Sequence, residues 1–168
     1  MDQNALTTFV QYNNWANQHL LAVAQRLDES ALHEPSPFFD LGTAFKSLLH
    51  LLDVEWSWLN AARGQDMTAY LWDVEPLPDL ASLCAFADRF AVEIETYVAG
   101  LSAGELAEAV DIGAAQGRSP EWVRRENILI HLINHGTAHR VELAHFLTSK
   151  GHSPGDIDYL DFVMGRGR

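Results

Sequence analysis

The sequence predicts an all-α protein, a four-helix bundle with long connections and a short C-terminal segment. Four stretches of about 20 to 30 residues repeat apolar side chains at spacings of three and four, the period of an amphipathic helix. Alternation of apolar and polar residues, the signature of a strand, nowhere lasts beyond a few residues. Four such helices with long connections are typical of a bundle, and a chain of 168 residues is expected to form one domain, residues 1–168.

The first two helices are bounded by proline, glycine and capping residues. Apolar residues keep the helical period over residues 3–27, and the prolines of segment 28–39 end this first helix. Capping residues at 40–43 predict the start of a second helix, which Gly64 ends. Residues 64–78 show no steady period and are expected to form a long connection.

The third and fourth helices are predicted from caps in the same way. Asp79 caps a third helix that extends to about Ala99, and the glycine-rich residues 100–119 are expected to form a loop with a short helical turn or a small hairpin. A serine N-cap, a proline and an acidic residue at 119–121 predict the start of the fourth helix, which Gly151 ends. The tail that follows is expected to be a short closing helix or an extended strap.

Charge and composition exclude several kinds of partner. The net charge is -12 and the isoelectric point is near 4.9, with only 11 scattered basic residues. Because nucleic-acid binding depends on clustered Lys and Arg, we expect no nucleic-acid partner. An acidic surface is repelled by anionic lipid, and no stretch approaches the ~20 apolar residues of a membrane span, so we expect no membrane partner.

The N-terminal residues and the single cysteine favour a cytoplasmic location. The first residues lack a basic region followed by an apolar run, so no signal peptide is predicted. A lone Cys84 cannot form an internal disulfide, which fits a reducing compartment. Since no histidine or basic residue lies near it in the sequence, a reactive thiolate is not expected.

Three of the eight histidines, His131, His135 and His139, lie at intervals of four on the predicted fourth helix. Histidines four apart lie about 40° apart around a helix and about 6 Å apart along its axis, a spacing from which both can bind one metal ion. One ion is not expected to bind all three, since His131 and His139 are about 12 Å apart along the axis. His135 and His139 are favoured, because the small residues at 136–138 leave room for a pocket.

A metal ion in an open site usually takes three protein ligands, and His50 is the natural third. It lies on the second helix, within a run of leucines and on the face that also carries Asp53. By itself a histidine in such a run is more often a core residue than a ligand, so its assignment depends on the pair His135 and His139. The apolar neighbours of His131 favour a hydrogen-bonded packing residue instead.

Other polar residues have ordinary structural roles as alternatives. Glu55 and Glu142 either orient a ligand imidazole or relay a proton, or are solvated surface carboxylates, and the surface role is favoured. His19 is expected at an interior or rim position, and His145 is left outside the site because it lies about 120° from the preceding histidine. The five tryptophans are expected to pack the core, with one or two lining a pocket. The sequence contains no motif of zinc proteases, serine hydrolases or nucleotide-binding proteins.

Four stretches are similar to those of a known family: YNNWANQHLL from Tyr12, SLLHLLDVEWSWL around His50, ILIHLINHGTAHR from Ile128 and KGHSPGDIDYLDF from Lys150. With them the chain resembles the DinB family of helical-bundle proteins, the DinB/YfiT-like metalloenzymes. The resemblance covers nearly the whole chain, and the last two stretches are its most specific parts.

The resemblance implies a four-helix bundle that holds a divalent metal ion, typically nickel or zinc, on three histidines. These correspond to His50, His135 and His139, whereas His131 matches a position outside the ligand set. The resemblance also implies a homodimer and, for some members, a low-molecular-weight thiol as cosubstrate in thiol S-transferase or maleylpyruvate isomerase reactions. After the NHxxxHR core the family usually continues with Gly and Gln, whereas this chain has Val and Glu at 141–142, which leaves the substrate class open.

The leading hypothesis is a metal-dependent enzyme that activates a water or a low-molecular-weight thiol toward a small-molecule substrate, by thiol transfer or by hydrolysis. No catalytic residue beyond the three ligands is assigned. The alternative is a non-catalytic stress-response protein that binds a metal or a small ligand. A purely structural bundle, whose histidines pack the core and bind no metal, is the least favoured hypothesis.

Overall fold

The computed structural model of this chain describes residues 2–166 and confirms the predicted all-α bundle. Met1, Gly167 and Arg168, which the predicted domain includes, lie outside the described residues. In chain order the elements are α1 (Gln3–Ala24), α2 (Glu29–Leu32), α3 (Ala44–Ala62), α4 (Leu71–Val74), α5 (Leu80–Gly100), α6 (Ala103–Ala107), β1 (Ala109–Asp111), α7 (Ile112–Ala115), β2 (Trp122–Arg124), α8 (Arg125–Ser149) and α9 (Tyr159–Val163).

The four long helices α1, α3, α5 and α8 form the bundle around one apolar core. α3 packs mainly on α8, and α1 packs on both α5 and α8. Burying each large aliphatic side chain contributes about 1.5–3 kcal/mol, so the four apolar stripes supply most of the driving force for folding. The completely buried core residues include Val10, Leu20, Leu59, Leu83, Ile94, Leu129, Leu132 and Ile133.

The predicted caps define the starts of α3 and α5. The side chain of Thr43 accepts a hydrogen bond from the backbone N–H of Lys46 at 3.2 Å, and Asp79 forms a reciprocal capping box with Ser82. At the other end of its pattern, α1 stops at Ala24, three residues before the predicted end. The chain tightens there, because the N–H groups of residues 26 and 27 bond to carbonyls three residues back.

The prediction that the fourth helix starts at 119–121 is wrong. α8 begins at Arg125, and β2 before it pairs antiparallel with β1, with Val110 opposite Val123. One carboxylate oxygen of Asp111 accepts hydrogen bonds from the backbone N–H groups of Gly113, Ala114 and Glu121, which holds this segment in a hairpin rather than a helix. The small hairpin expected within 100–119 is therefore present, and it continues to residue 124.

After α8 the tail forms first an extended strap and then the short helix α9. The hydroxyl of Tyr12 donates to the carbonyl of Ile157 at 2.9 Å, and Nε2 of His19 lies 2.7 Å from the carbonyl of Pro154. These two bonds fix the strap across α1. None of the described helices combines the length and apolar character that crossing a membrane requires.

Candidate metal centre

Three of the predicted site residues, His50, His135 and His139, come together between α3 and α8. The ring centroids of His50 and His139 are 4.9 Å apart, those of His135 and His139 are 4.8 Å apart, and those of His50 and His135 are 6.2 Å apart. The spacing of four residues on α8 and the close packing of α3 on α8 produce this cluster.

The ring distances can be compared with those that one metal ion requires. With metal–nitrogen bonds of about 2.0–2.1 Å, two imidazoles on one ion have centroids roughly 4.5–5.5 Å apart at coordination angles of 90–110°. Two of the three distances satisfy this range, and the distance between His50 and His135 exceeds it by about 0.7 Å. Accordingly, no group of three donors in the part of the chain that the structure describes is already arranged as a finished metal site.

His135 carries the clearest sign of a missing ligand. Its Nδ1 is buried and has no hydrogen-bond partner among the described residues. Burial, together with the neighbouring His139, His131 and His50, lowers the pKa of His135 to about 4. The imidazole is therefore neutral near pH 7, the form in which histidine binds a metal ion.

The other two histidines have distinct electrostatic surroundings. Burial lowers the pKa of His50 below its ordinary value, and His139 lowers it further, whereas Glu142 opposes the shift. The carboxylate of Glu142 lies 3.6 Å from Nδ1 of His139, one helical turn away on α8. The side chain of Glu142 is partly exposed, in agreement with the favoured surface role, and it also faces a candidate ligand.

Glu55 differs from its favoured prediction as a surface carboxylate. Its side chain is 1% exposed, and it accepts hydrogen bonds from the amides of Asn13 and Asn17, at 3.0 and 2.9 Å. The guanidinium of Arg140, also 1% exposed, lies 3.7 Å away and donates to both asparagine carbonyls. The pKa of Glu55 is raised, because burial outweighs the opposing effects of Arg140 and the two amides.

We call Asn13, Asn17, Glu55 and Arg140 the buried network. It joins α1, α3 and α8, and its member on α8, Arg140, directly follows His139 in the sequence. Glu55 and Arg140 are retained in the core because most of their hydrogen-bonding groups find partners. The second terminal nitrogen of Arg140 donates to the carbonyl of Ile133 and the hydroxyl of Thr137, and only its buried Nε has no partner among the described residues. The network therefore fixes how the two helices that carry the histidines sit against each other.

Gly136, in the middle of α8, allows the buried network to approach the helix backbone. A Cβ at this position would lie 2.8 Å from a carboxylate oxygen of Glu55 and 2.9 Å from a guanidinium nitrogen of Arg140. Real Cβ atoms do not approach polar atoms so closely, and both groups are held by their partners. The space beside Gly136 is thus filled by side chains of the buried network.

The remaining histidines lie outside the cluster. His131, for which a hydrogen-bonded packing role is predicted, packs its ring edge-on against Trp58 at 4.6 Å, but the residue as a whole is exposed. His19 stacks on Trp15 and binds the strap, which gives it the expected rim position. His145 is exposed on α8.

The tryptophans are less uniformly buried than expected. Trp122 is 67% exposed and Trp72 is 38% exposed, whereas Trp56 and Trp58 are partly buried against the core. Trp72 lines a cleft, as expected for one or two of the five.

The functional residues that sequence reasoning missed are Asn13, Asn17 and Arg140 of the buried network. Their positions do carry a signal. The two asparagines are one turn apart on the buried side of α1, and Glu55 stands at helical spacing from the buried Leu48, Leu52 and Leu59 on α3. Polar residues within an apolar stripe need partners in the core.

The model of a family described as the DinB family matches residues 1–166, nearly the whole chain. Comparison with curated proteins gives no significant match.

Proposed function

This chain belongs to the DinB family, and we propose that it is a metal-dependent enzyme whose divalent ion, nickel or zinc, is held by His50, His135 and His139. The observation that carries the proposal is the cluster of three rings, with a buried nitrogen of His135 that no described residue satisfies. An unpaired buried polar atom costs about 1–3 kcal/mol, which coordination of an ion would recover. His50, His135 and His139 would hold the ion once the rings of His50 and His135 lay about 0.7 Å closer together.

The donor set fits the chemistry of these ions. Nickel and zinc both accept imidazole nitrogen, and three protein ligands leave coordination positions open. The depressed pKa values of His50 and His135 keep their rings neutral, so no proton has to leave them before an ion binds. When bound, the ion acts as a Lewis acid that makes a water or a low-molecular-weight thiol a stronger nucleophile near neutral pH.

The protein residues around the cluster position the ligands. The carboxylate of Glu142 lies 3.6 Å from Nδ1 of His139, so its charge favours the proton on Nδ1 and leaves the Nε2 lone pair for the ion. The buried network keeps α3 and α8 in register, which fixes the distance between His50 and the two histidines of α8. Both contributions are positional, and neither residue set needs to contact the substrate.

Metal content tests the proposal directly. Mass spectrometry of the untagged protein is expected to find about one nickel or zinc ion per chain. The ion is lost in His50→Ala and in His139→Ala and is retained in His145→Ala, an exposed histidine on the same helix. Absence of metal after reconstitution with several divalent ions contradicts the proposal.

Turnover separates an enzyme from a protein that only binds an ion. The metal-loaded protein is expected to consume low-molecular-weight thiols or to hydrolyse small electrophilic substrates, and His135→Ala is expected to abolish that activity. If the metal is bound but neither reaction occurs across a broad screen, the non-catalytic alternative replaces the enzyme.

A further inference from the structure

A cleft opens beside His50, between the start of α3 and the segment around α4. Its volume is about 300 Å³, and its lining residues are Leu41, Lys46, Leu49, His50 and Trp72. This volume lies at the lower end of the range of small-molecule sites. The lining surface is almost entirely apolar, so Lys46 contributes mainly its aliphatic stem, and its exposed ammonium is available at the mouth of the cleft.

The aromatic wall of the cleft is held in place by the helix that carries His50. Trp72 stacks on Tyr70, with ring centroids 4.6 Å apart and planes only 7° apart. The backbone N–H of Leu71, between them, donates to the buried carboxylate of Asp53 at 2.6 Å. Asp53 is one helical turn after His50 on α3, so the cleft and the histidine cluster share one support.

Two apolar side chains of the cleft are exposed to solvent, and an apolar ligand would shield them from water. Leu41 is 41% exposed and Trp72 is 38% exposed, and both face the same cleft. Single exposed apolar residues are ordinary, but a leucine and a tryptophan that line one concave surface beside a polar site are typical of ligand pockets.

Lys46 gives the cleft a positive charge on a strongly negative protein. It is exposed in the first turn of α3, the end of a helix at which the dipole favours negative charge. Lys150, in contrast, is paired with Glu34 at 2.9 Å. Among the described residues no carboxylate pairs with the ammonium of Lys46, which is therefore available to a ligand. Because the net charge of -12 repels anions in general, a local cation is needed wherever an anion binds.

We propose that this cleft binds a small organic anion with an apolar body, such as an arylalkyl carboxylate. Leu41, Leu49 and Trp72 contact the apolar body, and Lys46 pairs with the negative group. His50 forms the end of the cleft nearest the histidine cluster, so the ligand lies next to the proposed metal. The inference rests on the proposed function, because it names the substrate class of that site.

Calorimetric titration with phenylacetate and its neutral isostere phenylacetamide tests the proposal. On metal-free protein, phenylacetate is expected to bind about tenfold more tightly than phenylacetamide, because only the acid gains the charge-assisted contact. Lys46→Met is expected to weaken phenylacetate about tenfold and to leave phenylacetamide unchanged. Lys150→Met, which removes a lysine that does not line the cleft, is expected to change neither affinity.

Substitutions of Trp72 test the contribution of the aromatic wall to affinity. Trp72→Ala is expected to weaken both probes at least about threefold through lost apolar contact, and Trp72→Phe is expected to restore most of the affinity. Equal affinities for acid and amide, an unchanged phenylacetate affinity in Lys46→Met, or undetectable binding overturns the proposal. Thermal melts of all variants check that the fold is intact.

Metal-free protein keeps the two proposals separable. If metal analysis finds no ion but phenylacetate binds the parent more tightly than Lys46→Met, the cleft proposal is supported and the metal-dependent function fails. If the metal is bound stoichiometrically but the probes do not bind or do not discriminate, the cleft proposal fails and the metal centre stands.

Discussion

At the scale of single residues, the buried network joins the two helices that carry the histidine cluster. Glu55 and Arg140 are each 1% exposed, so each relies on the other and on two asparagine amides to replace lost hydration. Glu55→Gln keeps the size of the side chain but leaves the Arg140 cation buried without its counter-ion. We expect the free energy of unfolding to fall by about 3–5 kcal/mol, measured by urea denaturation.

The matched control is an ion pair on the surface. Arg63 and Glu93 are 2.5 Å apart with side chains 23% and 46% exposed, so water can solvate either partner alone. Glu93→Gln is expected to cost less than about 1 kcal/mol. Equal losses in Glu55→Gln and Glu93→Gln contradict a specific role of the buried network.

Gly136 gives a second prediction at this scale. Gly136→Ala places a methyl group within 3 Å of two groups of the buried network, and neither group can move without losing its partners. Overpacking of this kind is expected to destabilise the protein by about 1–3 kcal/mol and to reduce metal binding, because His135 and His139 flank the distorted turn. The control is Gly100→Ala, since a Cβ at Gly100 meets nothing within 4 Å. A melting temperature of Gly136→Ala equal to that of the control shows that the backbone adapts freely.

Sequence patterns identify the histidine cluster better than they identify its support. The spacing of His135 and His139 predicts their approach, since helix geometry alone places residues four apart on one face. The pairing of Asn13 with Arg140 spans 127 residues, and only the packed bundle brings these side chains together. The burial of Glu55 likewise depends on partners that are distant in the sequence. Without them a carboxylate on a helix is expected at the surface, so the sequence favours that position.

At the scale of elements, the long helices and the hairpin differ in how much sequence signal they carry. Helices of 19 to 25 residues repeat the apolar period many times and have side-chain caps at Thr43 and Asp79. The strands β1 and β2 have three residues each, too few for alternation to be recognised. The serine, proline and glutamate at 119–121 resemble a helix start, but tertiary hydrogen bonds to Asp111 prevail over that local preference.

Asp111 supports a prediction for the hairpin. Its hydrogen bonds to backbone N–H groups, those of Ala114 and Glu121 first, lower its pKa below the ordinary 3.8. A depressed carboxylate pKa adds stability that is complete above the unfolded value and is lost as pH falls through the folded value. We therefore expect Asp111→Ala to be less stable than the parent at neutral pH, and the difference to shrink as the pH falls below 3.8.

Urea denaturation of both proteins between neutral and acidic pH measures this difference. Asp111→Asn serves as the control, because its amide oxygen still accepts hydrogen bonds but does not titrate in this range. A difference between Asp111→Ala and the parent that is independent of pH contradicts the role of the carboxylate charge.

At the scale of the whole molecule, metal binding is expected to stabilise the fold. The proposed ligands come from α3 and α8, so an ion that binds them binds the folded chain and not the unfolded one. At a free ion concentration one hundred times Kd, the gain in the free energy of unfolding is about 2.7 kcal/mol, or roughly 5–10 °C in melting temperature. Differential scanning fluorimetry with nickel and with zinc measures this shift.

Control variants distinguish the histidine cluster from the acidic surface. A net charge of -12 attracts divalent cations without any specific site. His135→Ala is therefore expected to lose the shift, and His145→Ala, with the same change on the exposed side of α8, is expected to keep it. Equal shifts in both variants attribute the stabilisation to non-specific attraction. The homodimer and the cytoplasmic location expected from the sequence stay predictions at this scale.

The edge contact between Trp58 and His131 gives the centre a built-in optical reporter. The indole of Trp58 meets the His131 ring at 4.6 Å, and that ring lies 5.7 Å from the ring of His135. An ion with a partly filled d shell, such as nickel, quenches the emission of a nearby indole, whereas zinc with its filled shell does not. In a fluorescence titration of the metal-free protein, nickel is therefore expected to quench the emission and zinc is not, and the quenching is expected to be weaker in Trp58→Phe.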